Sequence, residues 1–353
     1  MRKEVKIGFI GVFCAVIGLA FPVFNIFSKQ LSMDSHENRL MTGLPQVLQS
    51  PLRELPRNLD NFLVDNSPFR YQFVLVNAGL DYALFGTSQS DQVLPGRDGW
   101  LFYKDGPNAA QPMANYQGLA ELNDSAETLA EASAGLQILS NKLAENGCTL
   151  VLDLTPSKDR IYREYMPDGY PIVNEENRTD LLAAYLQSHT TVPVVWRYDM
   201  LRSQARQNAD RLLYYKTDTH WNAVGALIGL DGIFEALDMP THPADSYPVE
   251  GSGTTTGDMA NVAALYGSLP AEETYVVPGY DRMFEKDSRA VRVIGDSFSE
   301  YYMPYLQARF TNSWREHIDT FTADVAEHPG CDVLILEFNE RSLDKLLAIL
   351  EQF

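Results

Sequence analysis

Two short runs carry the side chains best suited to chemistry, Thr217-Asp218-Thr219-His220-Trp221-Asn222 and Gly295-Asp296-Ser297-Phe298. Asp218 and His220 are two positions apart. In extended or turn backbone such residues face the same side, so the carboxylate can hold one imidazole nitrogen. Ser297 comes just after the apolar run Val291-Arg292-Val293-Ile294, where a strand must turn sharply. A serine hydroxyl is a weak nucleophile near neutral pH. It needs a base within hydrogen-bond reach, and the base needs a partner that fixes its tautomer. The pattern therefore predicts a Ser–His–Asp centre: Ser297 attacks an acyl carbonyl, His220 takes its proton and Asp218 orients the ring. The Ser297 amide, at the mouth of a strand-to-helix turn and flanked by Gly295 and Asp296, is the natural first donor to an oxyanion.

Each piece also has a bland reading. Gly-Asp-Ser can simply cap a helix, and Asp296 can hold the turn with no part in proton transfer. Asp218 and His220 can be a surface pair, or metal ligands with Asp296. The metal reading lacks a clustered third histidine, because His36, His189, His242, His317 and His328 show no ligand spacing. No metal or cofactor is expected.

Alternating helices and apolar strands must position these residues. Strands are expected at Thr149–Leu154, Val192–Trp196, Val291–Ile294 and Val333–Phe338. Helices are expected at about 180–188, 222–237, 298–309, 322–328 and 340–352, with a further one after the capping-box-like Asp124-Ser125-Ala126-Glu127. Such alternation predicts an α/β domain whose parallel sheet is covered on both faces, with chemistry at the carboxyl ends of its strands. Thr155–Lys158, Gly295–Ser297 and Glu337–Arg341 fall at such ends. Upstream, 55–85 has helical apolar spacing, with Pro68 expected to open a second helix after Asp65-Asn66-Ser67. Trp100 and Phe102 lie on a short strand, as buried aromatics or a sugar-stacking platform.

The chain has 353 residues and a formal net charge of −19, which argues against a nucleic-acid partner because phosphates would be repelled. Ile7–Phe27 is apolar apart from Pro22 and Asn25, and follows Arg2, Lys3 and Lys6. About 20 such residues span a bilayer core, and the basic flank stays cytoplasmic, so an uncleaved signal anchor with an extracytoplasmic catalytic domain is expected ahead of the competing reading, a cleaved signal peptide. The domain division read from these patterns is 1–28 for the basic flank and anchor, 29–118 for a membrane-proximal segment, and 119–353 for the catalytic domain. Of three cysteines, Cys148 and Cys331 each open an apolar run; packing as buried thiols is favoured over a disulfide.

Taken in a different order, the chain resembles an SGNH (GDSL-type) hydrolase that has been circularly permuted. Val293-Ile294-Gly295-Asp296-Ser297 is similar to that family's opening block. Cys331–Glu337 resembles its strand before an Asn, Cys148–Pro156 a later strand, and His220-Trp221-Asn222-Ala223-Val224-Gly225 its terminal His block. With Asp-Thr-His-Trp in the His block, the arrangement resembles the alginate O-acetylation proteins of the AlgJ/AlgX type and the related DHHW proteins. The likeness extends to Asp65–Arg70, Gly96–Phe102 and Pro156–Tyr162. It implies an SGNH-hydrolase-like parallel sheet flanked by helices, circularly permuted, with an N-terminal transmembrane helix. It also implies that Ser297, His220 and Asp218 form the triad of an enzyme that transfers or removes acetyl groups on polysaccharide, beside a membrane-bound O-acyltransferase (MBOAT-type) acetyl exporter. Two other roles stand beside O-acetyl transfer, a carbohydrate esterase and a non-catalytic glycan-binding subunit. In place of the family's oxyanion Asn, Asn339 comes early and Arg341 falls nearer that position. Arg341 either stabilises an oxyanion or pairs with Glu337 or Glu340. Gly257 and Asn261, in a Gly-Asp segment, and Lys158, Tyr162 and Trp221 are further candidates for lining the site.

Overall fold

The computed structural model describes residues 3–27, 42–105, 111–122, 125–208 and 211–353. These fall into two compact units, 1–89 with 261–268, and 90–260 with 269–353.

The first unit is helical: α1 (Lys3–Phe27), α2 (Leu44–Leu48), α3 (Leu55–Asp65) and α4 (Arg70–Phe85). Some side chains of α1 lie outside the described set, and among the described residues no helix is long and apolar enough to cross a membrane. The expected transmembrane helix therefore finds no support among them. α4 begins two positions later than Pro68, because Phe69 takes left-handed backbone at φ 59°. Ser67 does not cap α4; its Oγ donates back to the Leu63 carbonyl at 2.7 Å.

The second unit opens with the antiparallel hairpin β1 (Val93–Pro95) and β2 (Leu101–Tyr103). There follow α5 (Pro112–Gln117), α6 (Ser125–Glu145), β3 (Thr149–Thr155) and the single turn α7 (Lys158–Ile161). Asp124 of the expected cap lies outside the described residues. Next come α8 (Arg178–His189), β4 (Val194–Trp196), α9 (Tyr198–Gln207) and α10 (Ala223–Ala236). A second antiparallel pair, β5 (Glu250–Thr255) and β6 (Glu272–Val276), brackets α11 (Asp258–Val262). The chain ends through β7 (Asp287–Gly295), α12 (Phe298–Arg309), β8 (Phe310–His317), β9 (Val333–Asn339) and α13 (Leu343–Leu350).

The main sheet has the order β4-β3-β9-β7-β8, with every pairing parallel. Its strand residues alternate between two cores. Val151, Val291, Val293, Val333 and Ile335 pack with α10 and α12 residues such as Leu230 and Tyr302. Leu150, Leu152, Leu334, Leu336 and Phe338 pack with α6, α8 and α13 residues such as Leu139, Leu182 and Leu346. Burial of both faces explains why these strands read as continuous apolar runs.

Where the elements differ from expectation, the causes are local. β8 reads Phe-Thr-Asn-Ser-Trp-Arg-Glu-His; as an edge strand it is held by backbone pairing to β7 and needs no apolar run. The helix expected at 322–328 is a 3-10 turn at Ala323–Ala326, and that at 340–352 starts as the 3-10 turn Glu340–Ser342 before α13. The Cys148 and Cys331 sulfurs are free thiols 3.6 Å apart at the amino ends of β3 and β9. Trp100 and Phe102 are fully buried, Trp100 lying 4.8 Å from the Tyr165 ring, so they make no sugar platform.

Candidate active site

Parallel pairing sets the carboxyl ends of β3, β9 and β7 side by side, with Thr155 opposite Asn339 and Gly295 opposite Glu337. The turn after β7 carries Ser297 to the first position before α12. Asp296 builds that turn. Its Oδ1 accepts the Phe298 amide at 2.9 Å, and its Oδ2 accepts the Asn339 amide at 3.0 Å, tying the turn to β9. Gly295 is needed because a Cβ there would come within 2.7 Å of the Glu337 Oε2 and 2.9 Å of the Ser299 Oγ. From β8, Arg315 donates to the Asp296 carbonyl at 2.8 Å and to the Ser299 Oγ at 2.7 Å.

The facing loop, Tyr215–His220, precedes α10. Asn222 caps that helix by accepting the Val224 amide at 2.9 Å. The His220 Nε2 lies 2.7 Å from the Ser297 Oγ, across 77 positions of sequence. Its Nδ1 lies 2.7 Å from the Asp218 Oδ1, which also accepts the His220 amide at 2.9 Å. The Asp218 Oδ2 accepts the Asp258 amide at 3.0 Å. Burial pushes the Asp218 carboxyl upward, but the hydrogen bonds and charge of His220 and the two amides outweigh it and hold the group below its usual range. The Phe298 ring centre is 4.9 Å from the imidazole, and Tyr301 stacks on it at 5.0 Å with its ring planes 23° apart. Hydroxyl, imidazole and carboxylate thus form one hydrogen-bonded line.

A family model described as "SGNH hydrolase-like domain, acetyltransferase AlgX" matches residues 93–320, well over half of the chain, from β1 to just past β8. The chain belongs to this AlgX family. A probable alginate O-acetylase AlgJ from Pseudomonas putida is 25% identical over 228 residues, 62% of this chain and 53% of that protein. The chain therefore spans about half the length of that relative. A second probable alginate O-acetylase AlgJ, from Pseudomonas syringae pv. tomato, is 23% identical over 320 residues, 85% of this chain and 74% of the relative. Among solved structures, the O-acetyltransferase domain of Pseudomonas putida AlgJ is similar at 21% identity and a TM-score of 0.49, covering 74% of this chain and 98% of that one.

The remaining candidates in this AlgX-family chain take varied places. Trp221 is buried behind the site, its Nε1 donating to the Phe298 carbonyl at 3.0 Å. Tyr162 is buried too, its hydroxyl accepting the Leu213 amide at 2.8 Å. Neither faces a substrate. Asn339 is fully buried; its side-chain amide donates to the Thr155 carbonyl at 3.0 Å and its oxygen accepts from the Ser157 Oγ at 2.9 Å. Those bonds occupy it in joining β9 to the end of β3. Asn261 falls in the other compact unit. Gly257 lies so close to the loop that a Cβ would sit 2.1 Å from the Thr217 carbonyl, and its amide donates to the Thr217 Oγ1 at 3.3 Å. Arg341 pairs with neither glutamate: Glu340 binds Arg160 at 3.1 Å, and Arg341 forms no ion pair among the described residues. Its guanidinium lies 5.0 Å from the Tyr103 ring centre and 5.4 Å from that of Phe298. It helps line a small cavity of about 20 Å³ with Thr219, Met259, Phe298, Lys158 and Asn115.

Asp258 is a second acidic group near the imidazole, beside Asp218. Hydrogen bonds already claim these atoms. Asp258 accepts the Thr219 amide at 2.7 Å and the Thr219 Oγ1 at 2.8 Å, and the imidazole nitrogens face Asp218 and Ser297. The set fits loop bracing better than metal ligation. Glu272, which accepts the Thr217 amide at 2.7 Å, and Arg315 are site-building residues that the sequence pattern did not single out, whereas Asp258 lies in the Gly-Asp segment that it did. They lie far along the chain from the residues they hold. Tyr301 had a usable signal, since four positions after Ser297 is the same face of α12.

Proposed function

We propose that this chain is an O-acetyltransferase that modifies a polysaccharide through an acyl-serine intermediate. The observation that carries the proposal is the line Asp218–His220–Ser297, with both links at 2.7 Å. The family description, acetyltransferase AlgX, and relatives described as probable alginate O-acetylases support acetyl as the group and polysaccharide as the acceptor.

In this proposal the Ser297 Oγ bonds to the acetyl carbon as its proton passes to the His220 Nε2. Asp218 steadies the imidazolium. Collapse of the tetrahedral adduct expels the donor's leaving group, which takes the proton from His220. A sugar hydroxyl then attacks the ester, giving its proton to His220, and Ser297 leaves and recovers one. The Ser297 amide and the Arg341 guanidinium, which have no acceptor and no ion-pair partner, respectively, among the described residues, supply positive charge for the oxyanion.

The chain is further proposed to be held at the cytoplasmic membrane by its amino terminus, with the catalytic unit outside and an MBOAT-type exporter supplying acetyl groups. The apolar Ile7–Phe27 behind Arg2, Lys3 and Lys6, and the exposure of Phe9, Val12, Phe13 and Val16 on α1, support that location.

The test is mass spectrometry of the protein after incubation with an activated acetyl ester and an oligosaccharide. Acetate on the Ser297 peptide, absent from Ser297→Ala, and acetylated sugar are expected. Acetate released without acetylated sugar would make the chain an esterase. Glycan binding with no acylated serine would leave it a binding subunit.

A further inference from the structure

Lys158 starts the single turn α7 directly after β3 and is only 4% exposed. Its Nζ donates to the carbonyl oxygens of Tyr215 at 3.1 Å and Lys216 at 2.9 Å, and to that of Asp218. Three hydrogens thus meet three acceptors, all in the loop that delivers Asp218 and His220. No carboxylate forms an ion pair with the ammonium among the described residues. The ring centres of Phe102 and Trp100 lie 5.5 and 5.7 Å from it. A buried cation without a counter-ion costs stability unless its donors are all used, and here all are used on one stretch of backbone.

The base of this clamp is firmly held. The Ser157 amide donates to the Glu340 Oε1 at 2.6 Å, and the Ser157 Oγ donates to the Asn339 Oδ1 at 2.9 Å. Asn339 in turn donates its amide to Asp296, which builds the Ser297 turn. A continuous series of bonds therefore runs from the nucleophile turn, through the ends of β9 and β3, to Lys158 and on to the backbone of Asp218.

We propose that Lys158 is a positioning residue that sets the His220–Ser297 distance by clamping the Tyr215–Asp218 backbone to the end of β3. The proposal rests on Ser297 and His220 working as nucleophile and base. Lys158 touches neither reacting atom. Its effect is on geometry, and small misplacements of a base cost large factors in rate.

The experiment compares Lys158→Met, which keeps the length of the stem and removes the donors, with the unaltered chain. Two quantities are read: the rate and KM for acylation of Ser297 by 4-nitrophenyl acetate, and deuterium uptake across residues 215–220. A clamp predicts a fall in the acylation rate of about 10²-fold with KM changed less than about 2-fold, and faster uptake at 215–220 with β3 and β9 unchanged. A folded Lys158→Met that acylates at the unaltered rate overturns the proposal. If that variant does not fold, Lys158→Arg decides: it keeps the charge but cannot bring three donors to one point, so a folded, fully active Arg variant overturns the clamp and a reduced rate at unchanged KM supports it. If the unaltered chain is never acylated, the nucleophile assignment fails separately. Uptake then decides alone, and unchanged uptake at 215–220 in either variant overturns the clamp.

Discussion

The Nδ1 of His220 lies 2.7 Å from the Oδ1 of Asp218, and the Asp218 Oδ2 is held by the Asp258 amide at 3.0 Å. The carboxylate is thus held at its second oxygen by a group other than His220. An Asn in its place would keep its oxygen on the Asp258 amide, a donor, and turn an N–H toward Nδ1, so the ring would take the tautomer protonated on Nε2. That tautomer cannot accept the serine proton. Asp218→Asn is expected to lower the rate of Ser297 acylation by about 10³- to 10⁴-fold while leaving the melting temperature within a few degrees. Stopped-flow measurement of the acylation burst checks this. A variant within 10-fold of the unaltered rate would remove Asp218 from the mechanism.

Gly257 approaches the Thr217–Asp218 peptide so closely that any side chain must move it: an added Cβ would lie 2.1 Å from the Thr217 carbonyl carbon and 2.3 Å from the Asp218 nitrogen. The atoms met are backbone, which cannot swing aside. Gly257→Ala is expected to cost about 2–3 kcal/mol of stability. It should also slow acylation, because the displaced peptide leads straight into His220. Urea unfolding and burst kinetics on the same preparation test both effects, and an unchanged urea midpoint would contradict the close contact.

Asp153 sits beside Glu337 in the sheet, fully buried. Burial pushes its carboxyl up to about 8, with Asp296 adding to the rise and Arg197 opposing it. The native chain therefore keeps a proton that the unfolded chain has lost above about pH 4. The stabilisation is fully present below about pH 4 and is lost as pH rises toward 8, by up to about 1.4 kcal/mol per pH unit. Asp153→Asn carries no such proton. The difference in unfolding free energy between the two proteins should thus shrink in the unaltered chain's disfavour from pH 5 to pH 8. Glu337 is pushed upward chiefly by burial, which both proteins share, with Asp296 and Asp153 adding to the rise; the variant removes only the Asp153 contribution. Urea titrations at the two pH values decide, and a difference independent of pH would show Asp153 to be ionised throughout.

The sequence by itself determined the ingredients and their local frames. Asp218 and His220 are two positions apart in a loop, so local backbone alone lets them touch. Ser297 ends an apolar strand and begins a helix, and α12 runs over Phe298–Arg309 as its spacing predicted. Continuous apolar runs announced strands buried on both faces, hence a parallel sheet. Tertiary structure decided the rest, because it depends on contacts between residues far apart in the chain. β8 is polar and visible only through its pairing with β7, so the Arg315 it carries could not be foreseen. Asn339 and Trp221 have the right types for a site, yet the packing of β3, β9 and α12 spends their polar groups internally. Lys158 read as a candidate for lining the site; only the fold delivers three loop carbonyls to its ammonium. Residue spacing can specify which groups share a turn or a strand face, but the 2.7 Å between His220 and Ser297 is set by how two loops 77 positions apart are braced on one sheet edge.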